Sequence, residues 1–297
     1  MELSCLEKYT VKNTVITSRL DPNLLQDDRV LESLLSFEEH FLPRVSYFKC
    51  VQTEVKPYMR SMLTNWMLEV CERKCEDGVF TLAVNYLDRF LAVVPTRKGH
   101  LQLLGAVCLF LASKLKEARR LAPVELCAFT DNAIKPDALL QWELLVVDKL
   151  NWDLAAVVPN DFIEPIVAKL PLPGDKLPLI RKHVQALVAL CATEFSFTAY
   201  PPSMMAAATI GAVIRKLQLD STDPARSADN RLDLLAKMIH TETDRLKACQ
   251  EQIERFLVTG LQEGRWSLKR AERGPTPRGR TPLHLSCAPT DVRDVHL

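Results

Sequence analysis

The sequence has few glycines and none of the short motifs that mark common catalytic sites. Only nine of its 297 residues are glycine, and none of them forms the closely spaced loop, GxGxxG or GxxxxGKS, that holds nucleotide phosphates. The HExxH, GxSxG and CxxC motifs and an Asp-rich calcium loop are also missing. The sequence therefore favours a protein that is not an enzyme, and we expect no catalytic residue, no metal and no cofactor.

The chain also lacks an excess of charge and a long hydrophobic run. Lys and Arg number 38 against 37 Asp and Glu, so no global positive field attracts nucleic acid or an anionic membrane. The longest nearly uncharged apolar run, residues 101–112, falls short of the roughly 20 residues that a membrane-spanning helix needs. Nine scattered cysteines, and a start without the apolar stretch of a signal peptide, indicate a reducing compartment, the cytosol or the nucleus.

The chain does contain a series of amphipathic helical patterns, separated by many of its eighteen prolines. The first series predicts a leading helix over 27–42 and then five more, which begin at Pro57, Val79, Leu101, Pro123 and Pro136. The helix that begins at Val79 is predicted to run to Val94, before Pro95. The pattern over 101–116 is apolar nearly all round, which indicates a helix surrounded by others. A second series follows, over 159–170, 176–193, 201–217, 230–240 and 241–258. We expect two helical bundles of about 100 residues each, a common domain size.

Two pairs of charged residues are candidates for function or for structure. Arg60 and Asp88 meet if their helices pack antiparallel, although two unrelated surface charges are the simpler interpretation. Lys114 ends the apolar helix and Glu143 lies in another strongly apolar helix. A charge at such a position pairs, reaches solvent or meets a partner protein, and the pattern alone favours solvated helix ends.

Three other patterns are open to two interpretations. The stripe Met59, Met62, Leu63, Trp66 is, from its periodicity alone, more typical of a core than of a binding groove. Cys71 and Cys75 lie one helical turn apart, but no further ligand at suitable spacing completes a metal site. Leu3, Cys5 and Glu7 share one side of an extended segment, which suits docking into a groove, although so short a pattern also arises by chance.

Several long segments resemble the D-type cyclins. The quoted matches are MRSMLTNWMLEVCE (59–72), NYLDRFL (85–91), LQLLGAVCLFLASKLKE (101–117), LLVVDKLNWDLAAV (144–157), YPPSM (200–204), ACQEQIE (248–254) and PTDVRDVHL (289–297). The resemblance implies an all-α protein of two tandem five-helix cyclin folds, preceded by an N-terminal helix and followed by a flexible C-terminal tail. It divides the chain into an N-terminal segment (1–24), the N-terminal helix and its connection (25–56), a first cyclin fold (57–156), a second cyclin fold (157–259) and a regulatory tail (260–297).

The resemblance also implies roles for individual residues. Arg60 and Asp88 become a structural ion pair within the first fold, and Lys114 and Glu143 become contacts to a kinase. A groove for the Arg-x-Leu peptides of substrates and inhibitors maps to Met59, Met62, Leu63, Trp66, Glu69, Leu101 and Gln102. Leu3, Cys5 and Glu7 match the segment with which D-type cyclins dock retinoblastoma-family pocket proteins.

By the same resemblance, the chain is a non-catalytic regulatory subunit that activates cyclin-dependent kinases 4 and 6 and promotes the G1/S transition. Its further expected partners are retinoblastoma-family proteins and Cip/Kip-type inhibitors. We expect it to bind neither nucleic acid nor a membrane, and to be located in the nucleus and the cytoplasm. Two alternatives remain. One is a nucleic-acid-binding protein on the same fold, which needs a basic face that neither bundle has. The other is an inert relative that binds a kinase without activating it.

The sequence departs from the family pattern at a few positions. Ala288 stands where D-type cyclins usually have a phosphorylated Thr, so we expect slow turnover. The remaining candidate phosphorylation sites in the tail are Thr276, Thr281 and Thr290. Ala122 replaces a helix-capping Thr, a loss of about 1 kcal/mol that Pro123 partly offsets.

Overall fold

The computed structural model describes residues 21–43, 47–217 and 224–262, except the side chains of residues 22, 26, 224–229 and 261. All regular structure in these ranges is helical, so the predicted all-α class is confirmed. The helices are α1 (Pro22–Gln26), α2 (Asp28–Glu38), α3 (Tyr47–Cys50), α4 (Pro57–Lys74), α5 (Val79–Leu91), α6 (Leu101–Lys116), α7 (Pro123–Ala128), α8 (Pro136–Lys149), α9 (Pro159–Val167), α10 (Leu177–Ala192), α11 (Pro202–Lys216), α12 (Pro224–Met238) and α13 (Thr243–Gln262). Short 3-10 turns cover Glu39–Phe41, Lys98–His100 and Phe195–Ala199. Helices α4 to α8 form a first five-helix bundle, the first fold, and α9 to α13 form a second, the second fold.

Prolines set the starts of many helices. A proline occupies the first helical position of α4, α7, α8, α9 and α11, where its missing N–H would have no partner within the helix. Helix α5 instead follows Gly78, whose φ of 89° lies in the left-handed region that favours glycine. At α7 the Glu125 carboxylate accepts a hydrogen bond from the Ala122 N–H at 3.2 Å, but Ala122 has no side-chain oxygen with which to cap the N–H groups of the first turn.

Some helix ends differ from the sequence-based prediction. The predicted helix over 79–94 ends at Leu91, because the side-chain amide of Gln52 binds the carbonyls of Leu91 and Val94 in the turn that follows. The leading helix ends at Glu38 and continues only as a 3-10 turn. Helix α12 starts at Pro224, six residues before its predicted start, and α13 runs three residues into the predicted tail.

Each fold is built around one buried helix. In the first fold, α6 is buried along almost its whole length, as its apolar sequence predicts. Gly105 allows α4 to lie close to it, because a Cβ at that position would be 2.8 Å from Leu63 Cδ1. In the second fold, α11 has the equivalent central place and is also largely buried. The core of each bundle therefore surrounds a central helix.

Polar contacts join the two folds at several points. The Thr81 hydroxyl on α5 lies 2.7 Å from the side-chain oxygen of Asn160 at the start of α9. Lys116, the last residue of α6, forms an ion pair with Asp161 on α9 at 2.8 Å. The end of the first fold is therefore fixed against the beginning of the second.

Candidate functional site

Arg60 on α4 and Asp88 on α5 form a fully buried, bidentate ion pair. Arg60 Nε donates to Asp88 Oδ1 at 2.9 Å, and Nη2 donates to Oδ2 at 2.7 Å. The Tyr47 hydroxyl also donates to Asp88 Oδ1 at 2.9 Å. Burial opposes the charge of Arg60, but Asp88 more than compensates, and the pKa of the guanidinium rises. The sequence-based pairing of these two residues is thus present in the structure.

Arg60 has a second set of contacts that sequence reasoning missed. Its Nη1 donates to the main-chain carbonyls of Ala192 and Thr193, both at 3.0 Å. Thr64, one turn along α4, also donates to the Thr193 carbonyl at 3.1 Å. These carbonyls lie at the C-terminal end of α10, where helix carbonyls have no partner in the helix and a cation is favourable. Arg60 therefore links the first fold to the second.

Lys114 and Glu143 are brought together at the surface of the first fold. Lys114 lies in the last turn of α6, Glu143 lies in the middle of α8, and their side chains form an ion pair. The ammonium of Lys114 also lies 4.2 Å from the ring centroid of Phe110. The pair is only partly exposed, so both charges remain reachable by a partner. The sequence pattern alone favoured two separate, solvated charges at helix ends, whereas the structure shows a defined ion pair.

Exposed apolar side chains surround this charged pair, and the sequence analysis did not select them. Leu115 follows Lys114 on α6, and Leu140 and Leu144 flank Glu143 on α8. Leu144 keeps 67% of its surface exposed. Spacing by four residues on the same helix puts Leu140 and Leu144 on one face with each other. Large apolar side chains beside a fixed ion pair are typical of a protein-binding surface.

Trp152 adds a large aromatic residue just beyond α8. It is 74% exposed, and its φ of 60° follows a φ of 54° at Asn151. The turn is held by a hydrogen bond from the Trp152 N–H to the Val147 carbonyl at 3.0 Å. A bulky residue with left-handed φ is uncommon, and such conformations concentrate at functional sites. We call the surface formed by Lys114, Leu115, Leu140, Glu143, Leu144 and Trp152 the α6/α8 surface.

The stripe on α4 is divided between surface and core. Met62 is 44% exposed, Met59 and Trp66 are half-buried, and the Trp66 indole N–H donates to the Phe129 carbonyl at 3.3 Å. Leu63 and Leu101 are buried, because α4 packs against α6 at Gly105. Their side chains lie in the core beneath the stripe and are not available as an outer lining. Glu69 is exposed and Gln102 is half-buried.

Other candidate residues lie outside the described ranges. They are the proposed docking residues Leu3, Cys5 and Glu7 and the candidate phosphorylation sites Thr276, Thr281 and Thr290. Within the described ranges no cluster of His, Cys, Asp and Glu has the geometry to hold a metal ion. Contact with Cys75 and burial raise the pKa of the Cys71 thiol, which disfavours the thiolate that a metal needs. No helix in this part of the chain is long and apolar enough to cross a membrane.

Comparison with known proteins assigns both halves of the chain. The family model of the cyclin N-terminal domain matches residues 29–155, and that of the cyclin C-terminal domain matches residues 157–270. The X-ray structure of a viral cyclin from herpesvirus saimiri has a similar fold, with a TM-score of 0.66 at 24% identity, covering 76% of this chain and 97% of that chain. Fold and site together define a protein of two tandem cyclin folds.

Closely similar relatives define the family more narrowly. The chain is 57% identical to the G1/S-specific cyclin-D2 of Gallus gallus and 54% identical to that of Mus musculus, in both cases over the full length of both proteins. It is 51% identical to the G1/S-specific cyclin-D3 of Homo sapiens, over 93% of this chain and 94% of the relative. The chain belongs to the D-type, G1/S-specific cyclins. Cyclins are regulatory subunits of kinases and not catalysts, and this family membership assigns the chain a regulatory role at the G1/S step of the cell cycle.

Proposed function

We propose that this cyclin binds and activates cyclin-dependent kinases 4 and 6 through the α6/α8 surface. The observation that carries the proposal is the fixed Lys114–Glu143 pair among exposed leucines and Trp152. Apolar side chains supply buried area in a complex, whereas the charged pair fixes orientation and excludes wrong partners. In the free chain the two charges pair with each other. In the complex, charged or polar groups of the kinase can pair with them instead.

The proposed mechanism follows from what phosphoryl transfer requires. A protein kinase is competent only when the Lys of strand β3 pairs with the Glu of helix αC and the activation loop is in place. A cyclin that packs against αC stabilises the inward position and shifts the population of the kinase to its active state. Helix α6 is buried along most of its length, and Lys114 and Leu115 lie in its last turn, so the surface that they form is held by a packed core. A surface held in this way can fix the position of αC when the kinase binds.

Substrate and inhibitor selection forms the second part of the proposal. Met59, Met62 and Trp66 offer an accessible apolar strip, with Glu69 on the same helix as a carboxylate for a basic side chain. This chemistry matches Arg-x-Leu peptides such as those of Cip/Kip-type inhibitors. We propose that Leu3, Cys5 and Glu7 dock retinoblastoma-family proteins, which the bound kinase phosphorylates, and that the complex acts in the nucleus and the cytoplasm.

The proposal is tested by direct binding. Isothermal titration of the full chain into monomeric cyclin-dependent kinase 4 or 6 should give a one-to-one complex. Replacing Leu144 by Asp should weaken that complex strongly, because a carboxylate would be buried against an apolar partner. A matched Val258→Asp variant, on an exposed position of α13, should bind like the original chain. Equal affinity of all three proteins would place the kinase contact elsewhere.

A further inference from the structure

Helix α2 is fastened to both cyclin folds, although it belongs to neither five-helix bundle. On the side of the first fold, Asn85 on α5 donates to the Phe41 carbonyl at 2.9 Å, in the turn that ends α2. The guanidinium of Arg89 lies 5.3 Å from the Phe41 ring centroid. These contacts fix the end of α2 beside α5.

Glu38, the last residue of α2, fastens the helix to the second fold. Its side chain is almost completely buried, with only 6% of the residue exposed. One carboxylate oxygen accepts from the Ser203 N–H at 2.8 Å, and the other accepts from the Ser203 hydroxyl at 2.7 Å. Ser203 lies in the first turn of α11, where N–H groups lack partners within the helix and a negative charge is favourable. Glu38 thus acts as a cap for α11 that comes from a distant part of the chain.

The other links between α2 and the second fold are weaker. Asp28 pairs with Lys169, and Glu32 lies 3.4 Å from His240, but the side chains of Asp28, Glu32 and His240 are largely exposed. Exposed ion pairs contribute little to stability because solvent screens them. Glu38 is therefore the principal polar link, since its carboxylate is both buried and satisfied by two hydrogen bonds, and it acts together with the apolar packing of Leu31, which is buried in the core.

Helix α2 also presents apolar side chains away from its buried face. Phe37 is 59% exposed, and Val30, two turns earlier on the same side of the helix, is half-buried, whereas Leu34 between them packs partly against the core. Just beyond α2, His40 Nε2 lies 2.7 Å from Asp153 Oδ2, and Asp153 directly follows Trp152 of the α6/α8 surface. The C-terminal end of α2, which carries Phe37, is therefore held close to the residue that follows Trp152.

We propose that α2 is a strap through which the second cyclin fold holds Phe37 and Val30 in a fixed position beside the α6/α8 surface. Glu38 is the positioning residue of this strap, and Phe37 is the side chain that it presents. Release of Glu38 frees α2 without unfolding either bundle. The role in kinase binding rests on the function proposed above, whereas the fastening of α2 does not.

The test combines hydrogen exchange of the full chain with kinase affinity. The variants are Glu38→Ala and the milder Glu38→Gln, which keeps one acceptor, with Glu39→Ala at the exposed neighbouring position as the matched control. In Glu38→Ala, amides of residues 28–38 should exchange at least about tenfold faster, while those of α6 keep their original rates. Glu38→Gln should give an intermediate increase, and Glu39→Ala none. Unchanged exchange in α2, or equal acceleration in every helix, would overturn the strap.

Kinase affinity separates the strap from the proposed function. Glu38→Ala should raise the dissociation constant for the kinase about tenfold, and Phe37→Ser should do the same while leaving the exchange of α2 unchanged. If α2 loosens and the affinity stays constant, the strap does not serve kinase binding and the proposal is wrong in that part. If the original chain does not bind the kinase at all, the proposed function fails, and the exchange rates alone decide whether Glu38 fastens α2.

Discussion

Arg60 donates a hydrogen bond to the Thr193 carbonyl at 3.0 Å, across the boundary between the two cyclin folds. The same guanidinium holds Asp88 within the first fold through two further bonds. One buried side chain therefore stabilises the first bundle and fixes the second bundle against it. The two folds share a polar joint as well as an apolar contact.

Replacing Arg60 by Met should destabilise the whole chain. The change leaves the buried Asp88 carboxylate without its cation and the carbonyls of Ala192 and Thr193 without a donor. Loss of one partner from a buried ion pair costs about 3 to 5 kcal/mol. The free energy of unfolding from urea titration measures the loss. Arg29→Met, whose side chain is exposed, serves as the control, and a loss below about 1 kcal/mol for Arg60→Met would contradict the assigned role.

Truncation of Trp152 should weaken the kinase complex and leave the fold stable. An exposed Trp at the edge of a binding surface becomes buried in the complex, and its removal costs about 2 kcal/mol, or roughly 30-fold in affinity. Trp152→Ala should show this loss in a titration with the kinase, with a melting temperature close to that of the original chain. Full affinity in this variant would remove Trp152 from the contact.

Changes in the α4 stripe should separate inhibitor binding from kinase binding. Met62→Asp places a charge on the accessible part of the stripe, so affinity for an Arg-x-Leu peptide should fall at least tenfold while kinase affinity is retained. The neighbouring Tyr58→Asp, at an exposed position one turn earlier, is the control for a general charge effect. Equal peptide binding by the Met62 variant and the original chain would mean that the stripe is not the groove.

The N-terminal pattern makes a separate prediction. Cys5→Ala should reduce capture of a retinoblastoma-family protein by the complex, because it removes the central side chain of the Leu3, Cys5, Glu7 set. Phosphorylation of a short peptide lacking the docking surface should not change. Ser4→Ala, which lies between the docking positions, is the matched control. Undiminished capture by the Cys5 variant would make the pattern a chance match.

The sequence predicted the helical architecture well because local signals define it. Prolines mark the first turns of many helices, and the apolar pattern of 101–116 identifies the central helix of the first fold. The second role of Arg60 was not predictable, because its acceptors are main-chain carbonyls more than 130 residues away, and these have no sequence signature.

The site was predicted only in part for a similar reason. Resemblance selected Lys114 and Glu143, and the structure brings them together. In the sequence, Leu144 and Trp152 look like core residues, although both are exposed in the structure. Hydrophobic periodicity identifies an apolar helix face, but it does not show whether another element of the chain covers that face. Leu63 belongs to the same stripe as Met62, but its side chain is buried in the core, where α4 packs closely against α6 at Gly105.

The most direct test of the central claim is the transfer of phosphate by the assembled kinase. Purified chain is mixed with monomeric cyclin-dependent kinase 4 or 6 that carries its activating phosphorylation, and phosphorylation of a retinoblastoma fragment is followed. The original chain and a Lys182→Glu control, at an exposed position of α10, should both activate the kinase, whereas Lys114→Glu should abolish activation with the fold intact. Full activation by the Lys114 variant, or none by the original chain, would contradict the account.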